Sequence, residues 1–123
     1  MEFFATIIIP ASVADLQRRL TINELPHWCG SIEKVLSDAK SSGEIYCVWG
    51  TFLTHREDLR QGVRFSLPEC PNGLQWTVTT GQPPDPLQTV IHLTINRAEH
   101  EQDFIDSIRQ FMSDWKAGLE TRW

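Results

Sequence analysis

The side chains in this 123-residue sequence best suited to ligating a metal or attacking an electrophile are three cysteines and four histidines. Two of them stand one residue apart in His27-Trp28-Cys29. Zinc wants about four ligands, usually from paired knuckles. Cys47 and Cys70 each stand alone and no Cys-x-x-Cys occurs, so no metal site is expected. The segment reads instead as a loop that anchors Trp28 in the core after Pro26. A thiol nucleophile needs a base, an orienting group and a basic neighbour to favour the thiolate. Cys29, Cys47 or Cys70 with His55 or His92 would be the parts, but each cysteine lies in an apolar or turn context without such a neighbour. Their odd number and wide spacing argue against a disulfide framework, leaving reduced thiols that pack as small hydrophobes. The carboxylates Glu57 and Asp58 lie in a mixed-charge stretch, Thr54 to Gln61, read as a solvated connector, with acid–base work as the outside option. Nucleotide-binding, hydrolase and zinc-protease motifs are absent, so no catalytic residue and no cofactor are assigned.

Composition narrows the classes further. Apolar residues make up 41% and charged residues 22%, as in an ordinary globular unit, and the length suits a single domain over residues 1–123. Eleven basic against sixteen acidic residues give −5, the wrong sign for gripping nucleic-acid phosphates. No apolar run approaches the roughly 18–20 residues of a membrane span. The opening Met1-Glu2-Phe3-Phe4 lacks a basic leader and its apolar run stops at Pro10, so a cytoplasmic protein is expected; a bacterial source is a separate expectation. Five tryptophans and six phenylalanines stand against a single tyrosine. That aromatic mass needs an address.

Periodicity supplies one. Glu2 to Ile9 reads as a strand stopped by Pro10, and Ser12 with Asp15 opens a helix carrying Val13, Leu16 and Leu20. Ile32, Val35, Leu36 and Ala39 recur at helical spacing, which favours a second helix there. Glu44 to Thr54 reads as one long strand, apolar on both faces. Val63–Leu67, Leu74–Val78 and Val90–Ile95 alternate as an antiparallel meander, with Asn72-Gly73 as a hairpin turn. The final segment puts Phe104, Ile105, Ile108, Phe111, Met112, Trp115 and Leu119 on one helical stripe, fraying near Gly118. Its acids crowd the first half, which suits the helix dipole. The expected class is α+β: a curved antiparallel sheet of five to six strands covered by a long C-terminal helix, in the order β-α-(α or β)-β-β-β-β-α.

A sheet curved around a helix can hold an apolar pocket. Its candidate walls are Trp49, Phe65, Trp76, Ile91 and Leu93 from strands, and Ile108, Phe111, Met112 and Trp115 from the helix. Simple filling of the core by these residues against one another is the more ordinary reading of the same pattern. An apolar small molecule is the expected ligand. A protein-interaction or chaperone-like module is the alternative, monomeric or homodimeric. An enzyme using His55 or His92 comes third.

Ile9-Pro10-Ala11-Ser12-Val13-Ala14-Asp15-Leu16 and Leu25-Pro26-His27-Trp28-Cys29-Gly30-Ser31-Ile32-Glu33-Lys34-Val35 carry a resemblance. The layout resembles the superfamily of Bet v 1-like, START and polyketide-cyclase-like proteins (SRPBCC). There a first strand ends in a short turn, followed by a helix and a Leu-Pro-x-Trp-like segment, and an aromatic-striped helix closes the chain. The resemblance implies a helix-grip fold around a hydrophobic small molecule, often without catalysis, and it would place a strand at Ile32–Ala39. The superfamily shares no universal catalytic residues, so none transfers.

Overall fold

The computed structural model describes residues 1–96 and 99–123. Strand β1 (Glu2–Ile8) leads through helix α1 (Val13–Arg19), a 3-10 turn (Ile22–Glu24) and the one-turn helix α2 (Leu25–Trp28). Six strands follow: β2 (Ile32–Asp38), β3 (Ser42–Cys47), β4 (Gly50–Leu59), β5 (Gly62–Ser66), β6 (Gln75–Thr80) and β7 (Gln88–Thr94). Helix α3 (Gln102–Arg122) comes last. All seven strands form one antiparallel sheet, ordered β1-β7-β6-β5-β4-β3-β2 and left open between its edges β1 and β2. The class is therefore the expected α+β sheet under a C-terminal helix. No helix among the described residues is long and apolar enough to cross a membrane.

The strand count is a correction: there are seven, not five to six. Ile32–Asp38 is strand β2, not a helix, and its register against β3 slips between Ile32 and Lys34 and again between Val35 and Ser37. Each bulge inserts a residue and breaks strict alternation. Ile32 and Val35 thus turn inward three apart, which imitates a helical period. The stretch Glu44–Thr54 is two strands, joined at Val48 and Trp49, with Gly50 at φ +113°. Chain reversal explains why it looked apolar on both faces. Thr54–Gln61 is no solvated connector either, because β4 runs through to Leu59. Within it Arg56, 13% exposed at its side chain, crosses to α1. Its Nε donates to the Leu20 carbonyl at 2.7 Å and its Nη2 to the Gln17 carbonyl at 2.6 Å, occupying acceptors that a helix C-terminus leaves open.

Local chemistry starts and stops the elements. Asp15 N–H donates to Ser12 Oγ at 3.0 Å while Ser12 N–H donates to Asp15 Oδ2 at 3.1 Å, a reciprocal cap on α1. Gly73, at φ +58°, closes the β5–β6 connection. The inner face of the sheet carries two rows in register. Phe65, Trp76, Leu93 and Phe3 form one across β5, β6, β7 and β1; Val63, Val78, Ile91 and Ala5 form the other. Over them lie Ile105, Ile108, Phe111, Met112, Trp115 and Leu119 of α3, all buried.

Gly118 does not mark fraying, since α3 continues to Arg122. A Cβ there would stand 1.8 Å from the Trp28 carbonyl oxygen, so α2 and α3 touch backbone to backbone. Helix propensity alone would make Gly118→Ala stabilising by about 1 kcal/mol. Overpacking reverses the sign, and we expect a loss of about 1–3 kcal/mol in thermal or urea unfolding. A gain in stability would contradict this contact.

Candidate functional site

The space between the inner sheet face and α3 brings eight of the nine candidate residues into one buried cluster. Phe65 stacks on Trp76 with ring centroids 5.4 Å apart, and Trp76 meets Phe111 edge to face at 5.0 Å. Trp115 lies 6.3 Å from Trp76 and 6.2 Å from Phe65. Ile91, Leu93, Ile108 and Met112 complete this buried layer. Trp49, the ninth, is half-buried at the β3–β4 turn, 5.0 Å from Phe111 and 6.2 Å from Phe104. Met112 also borders an open groove, the depression between β1 and α3.

Four of the five indole N–H groups divide into two kinds. Trp28 Nε1 donates to the Arg19 carbonyl at 3.1 Å. Trp49 Nε1 donates to Ser107 Oγ at 2.8 Å, and that hydroxyl donates onward to the Phe104 carbonyl at 2.6 Å. Trp76 Nε1 and Trp115 Nε1 are buried with no acceptor among the described residues, as is the Thr54 hydroxyl on the same inner face. A buried donor left without a partner costs about 1–3 kcal/mol, and ring faces are poor substitutes for a carbonyl. Two such donors sit within one aromatic cluster, between sheet and covering helix. Alternation and the 3.6-residue period placed these rings inside; nothing in the sequence marks which indoles lack partners, because that depends on tertiary neighbours.

Other candidate groups do not converge. His92 on β7 stacks on Phe4 at 4.3 Å and lies 3.0 Å from Glu2 Oε1. His55 on β4 is exposed and paired in register with Ser66. Both lie on the outer face, three strand spacings or roughly 14 Å apart. His27 is exposed against the Trp28 ring while Cys29 is buried. Among the described residues, no three His, Cys, Asp or Glu side chains are grouped to hold a metal ion. Glu57 pairs across strands with Arg64 at 2.6 Å, and Asp58 with Arg56 at 3.0 Å. The first is a surface contact of the outer face; in the second, which lies within β4, only Asp58 is exposed, Arg56 being bonded into α1.

No protein-family model and no curated protein matches the sequence. Solved structures do match along nearly the whole chain. A START superfamily protein from Mycobacterium smegmatis aligns with TM-score 0.63 at 12% identity, over 98% of this chain and 95% of that one. The chain has a START-like fold. Protein XoxI from Bacillus cereus aligns with TM-score 0.67 at 15% identity, over 96% and 92%. An uncharacterized protein from Bacillus thuringiensis aligns with TM-score 0.65 at 16% identity, over 97% and 96%. At these identities the likeness is one of fold.

The cysteines in this START-like fold are free thiols. Burial pushes the Cys29 thiol up to about 12 from the ordinary 9.0, and the nearby Asp114 carboxylate adds to the rise. Burial also raises Cys47. An unfolded chain sheds the Cys29 proton near pH 9 whereas the folded one keeps it until about 12. Cys29 therefore leaves stability untouched below pH 9 and lowers it between those values, by up to about 1.4 kcal/mol per pH unit. Urea titrations should show that fall, smaller in Cys29→Ala, and a thiol-alkylating reagent should reach Cys70 well before Cys29 in the native protein. Equal alkylation rates would contradict the burial argument.

Proposed function

We propose that this chain binds an apolar small molecule carrying an acceptor oxygen, held between the inner sheet face and α3. The observation that carries the reading is the pair of indole donors, Trp76 Nε1 and Trp115 Nε1, that are buried without an acceptor among the described residues. A carbonyl or carboxylate oxygen on a lipophilic ligand would satisfy them where water reaches poorly, and each hydrogen bond gained there relieves an existing penalty. The surrounding Phe65, Phe111, Ile91 and Leu93 would bury the apolar body of the ligand. These side chains now meet one another, so admission requires α3 to shift or its side chains to change rotamer. Met112, unbranched and at the border of the cluster, is the residue best suited to yield. The START-like fold adds support at the level of architecture.

The test is a titration with matched pairs of lipophiles, a long-chain fatty acid against the corresponding alkane and an aromatic ketone against its hydrocarbon. Tryptophan fluorescence and the indole resonances of Trp76 and Trp115 are followed. We expect the oxygen-bearing member of each pair to bind at least about tenfold more tightly, the equivalent of one hydrogen bond of about 1.4 kcal/mol. It should also move both indole signals. No response from any member, or equal binding within each pair, would overturn the proposal.

A further inference from the structure

We propose that the free edge of β1, together with the groove between β1 and α3, takes up an extended acidic peptide as an eighth strand. This proposal is independent of the ligand reading above. Ile95 N–H donates to the Met1 carbonyl at 3.0 Å, which sets the phase of the β1–β7 ladder. In antiparallel pairing alternate residues face the partner strand. Phe3, Ala5 and Ile7 therefore direct their backbone groups to β7, and Glu2, Phe4 and Thr6 direct theirs outward. The two sheet edges differ sharply. Edge β2 is interrupted by two register shifts, a common protection against strand addition. Edge β1 pairs without a break from Glu2 to Ile8 and contains no proline or lysine.

Beside this edge runs the groove, of about 660 Å³, whose far wall is α3. That wall presents Arg109, Ser113 and Lys116. Among the described residues neither cation pairs with a carboxylate, and Arg109 lies 5.9 Å from the Phe3 ring centre. Glu2 also borders the groove, but its carboxylate meets His92 on the outer face. On that outer side Phe4 and Ile8 are 62% and 75% exposed. An added strand would therefore meet cations on one face and apolar side chains on the other. The pattern it fits is an alternation of acidic and apolar residues. A second copy of this chain fits less well, since two-fold pairing of β1 with β1 would bring the Arg109 and Lys116 walls of both copies to the same seam. Backbone pairing supplies affinity and the alternating side chains supply selectivity in this mode of recognition.

The probe is a short fluorescein-labelled peptide alternating valine and glutamate, with its valine–lysine counterpart as control, read by anisotropy and by amide hydrogen exchange of the whole chain. We expect the glutamate peptide to bind, the lysine peptide to bind at least about tenfold more weakly, and affinity to fall with added salt. Binding should slow exchange at the outward amides of Glu2, Phe4 and Thr6. Arg109→Glu with Lys116→Glu should reverse the preference between the peptides. Thr6→Pro removes one outward donor without touching the β1–β7 ladder and should abolish binding while leaving the thermal transition near its original position. If that variant does not fold, the exchange pattern of the unaltered protein decides alone. Absence of binding, indifference to peptide charge, or binding that leaves those three amides unprotected would overturn the proposal. So would concentration-dependent dimerisation that protects them without peptide, which would assign the edge to a second copy.

Discussion

A sheet with one apolar face needs a cover, and here one helix provides most of it, held against the sheet at both ends and at its middle. Near its start, Ser107 accepts the Trp49 indole N–H. At mid-length the Ser31 hydroxyl donates to Asp114 at 2.5 Å. Towards its end, Gly118 lets the α2 backbone come into contact. Beyond that, Arg19 lies 4.0 Å from the Trp123 ring centre and 5.1 Å from that of Trp28, while its Nη1 donates to the Trp123 carbonyl at 3.2 Å. These attachments hold α3 against Phe65, Trp76 and Leu93. The burial that follows is the main favourable term in a domain of this size. Trp123, half-buried with its ring centre 5.6 Å from that of Trp28, is part of this closure.

The same arrangement explains why the interior and the rim offer different chemistry. Inside, aromatic surface surrounds two indole donors, so the unmet need is for an acceptor oxygen with an apolar body. At the rim, α3 turns Arg109 and Lys116 towards an unprotected strand edge, so the unmet need is for backbone partners and negative charge. The net −5 of the whole chain gives no hint of this second surface. Local placement of two cations outweighs the overall balance within a Debye length of about 8–10 Å.

Elements governed by local rules were legible before the structure was known. The Ser12–Asp15 cap, the alternation through Val63–Leu67 and Leu74–Val78, and the wide stripe of α3 depend on near neighbours in sequence. What the pattern misrepresented depends on partners far along the chain. β2 looked helical because its bulges, imposed by pairing with β3, shift Ile32 and Val35 onto one side. The β3–β4 turn was passed over because Val48-Trp49 is an apolar pair, although Gly50, at φ +113°, marks it, and Trp49 is held against α3 by Ser107 and Phe111. Arg56 looked like a solvated charge in a mixed-charge run, yet it is the donor that secures the end of α1. Phe65, Trp76, Phe111 and Trp115 lie on the inward faces that alternation and helical spacing gave them, while Trp49 sits half-buried at a turn. Their hydrogen-bond state belongs wholly to the tertiary arrangement.

Trp76 and Trp115 hold buried N–H groups without acceptors among the described residues, and the indole proton spectrum of the ligand-free protein tests this most directly. With the five indole signals assigned by single Trp→Phe substitutions, the Trp28 and Trp49 protons should show the hydrogen–deuterium fractionation of bonded donors. Those of Trp76 and Trp115 should show that of unbonded ones, with slow exchange confirming their burial. Fractionation at Trp76 and Trp115 matching that at Trp28 and Trp49 would mean that both donors are already satisfied, and the case for an oxygen-bearing ligand would fall.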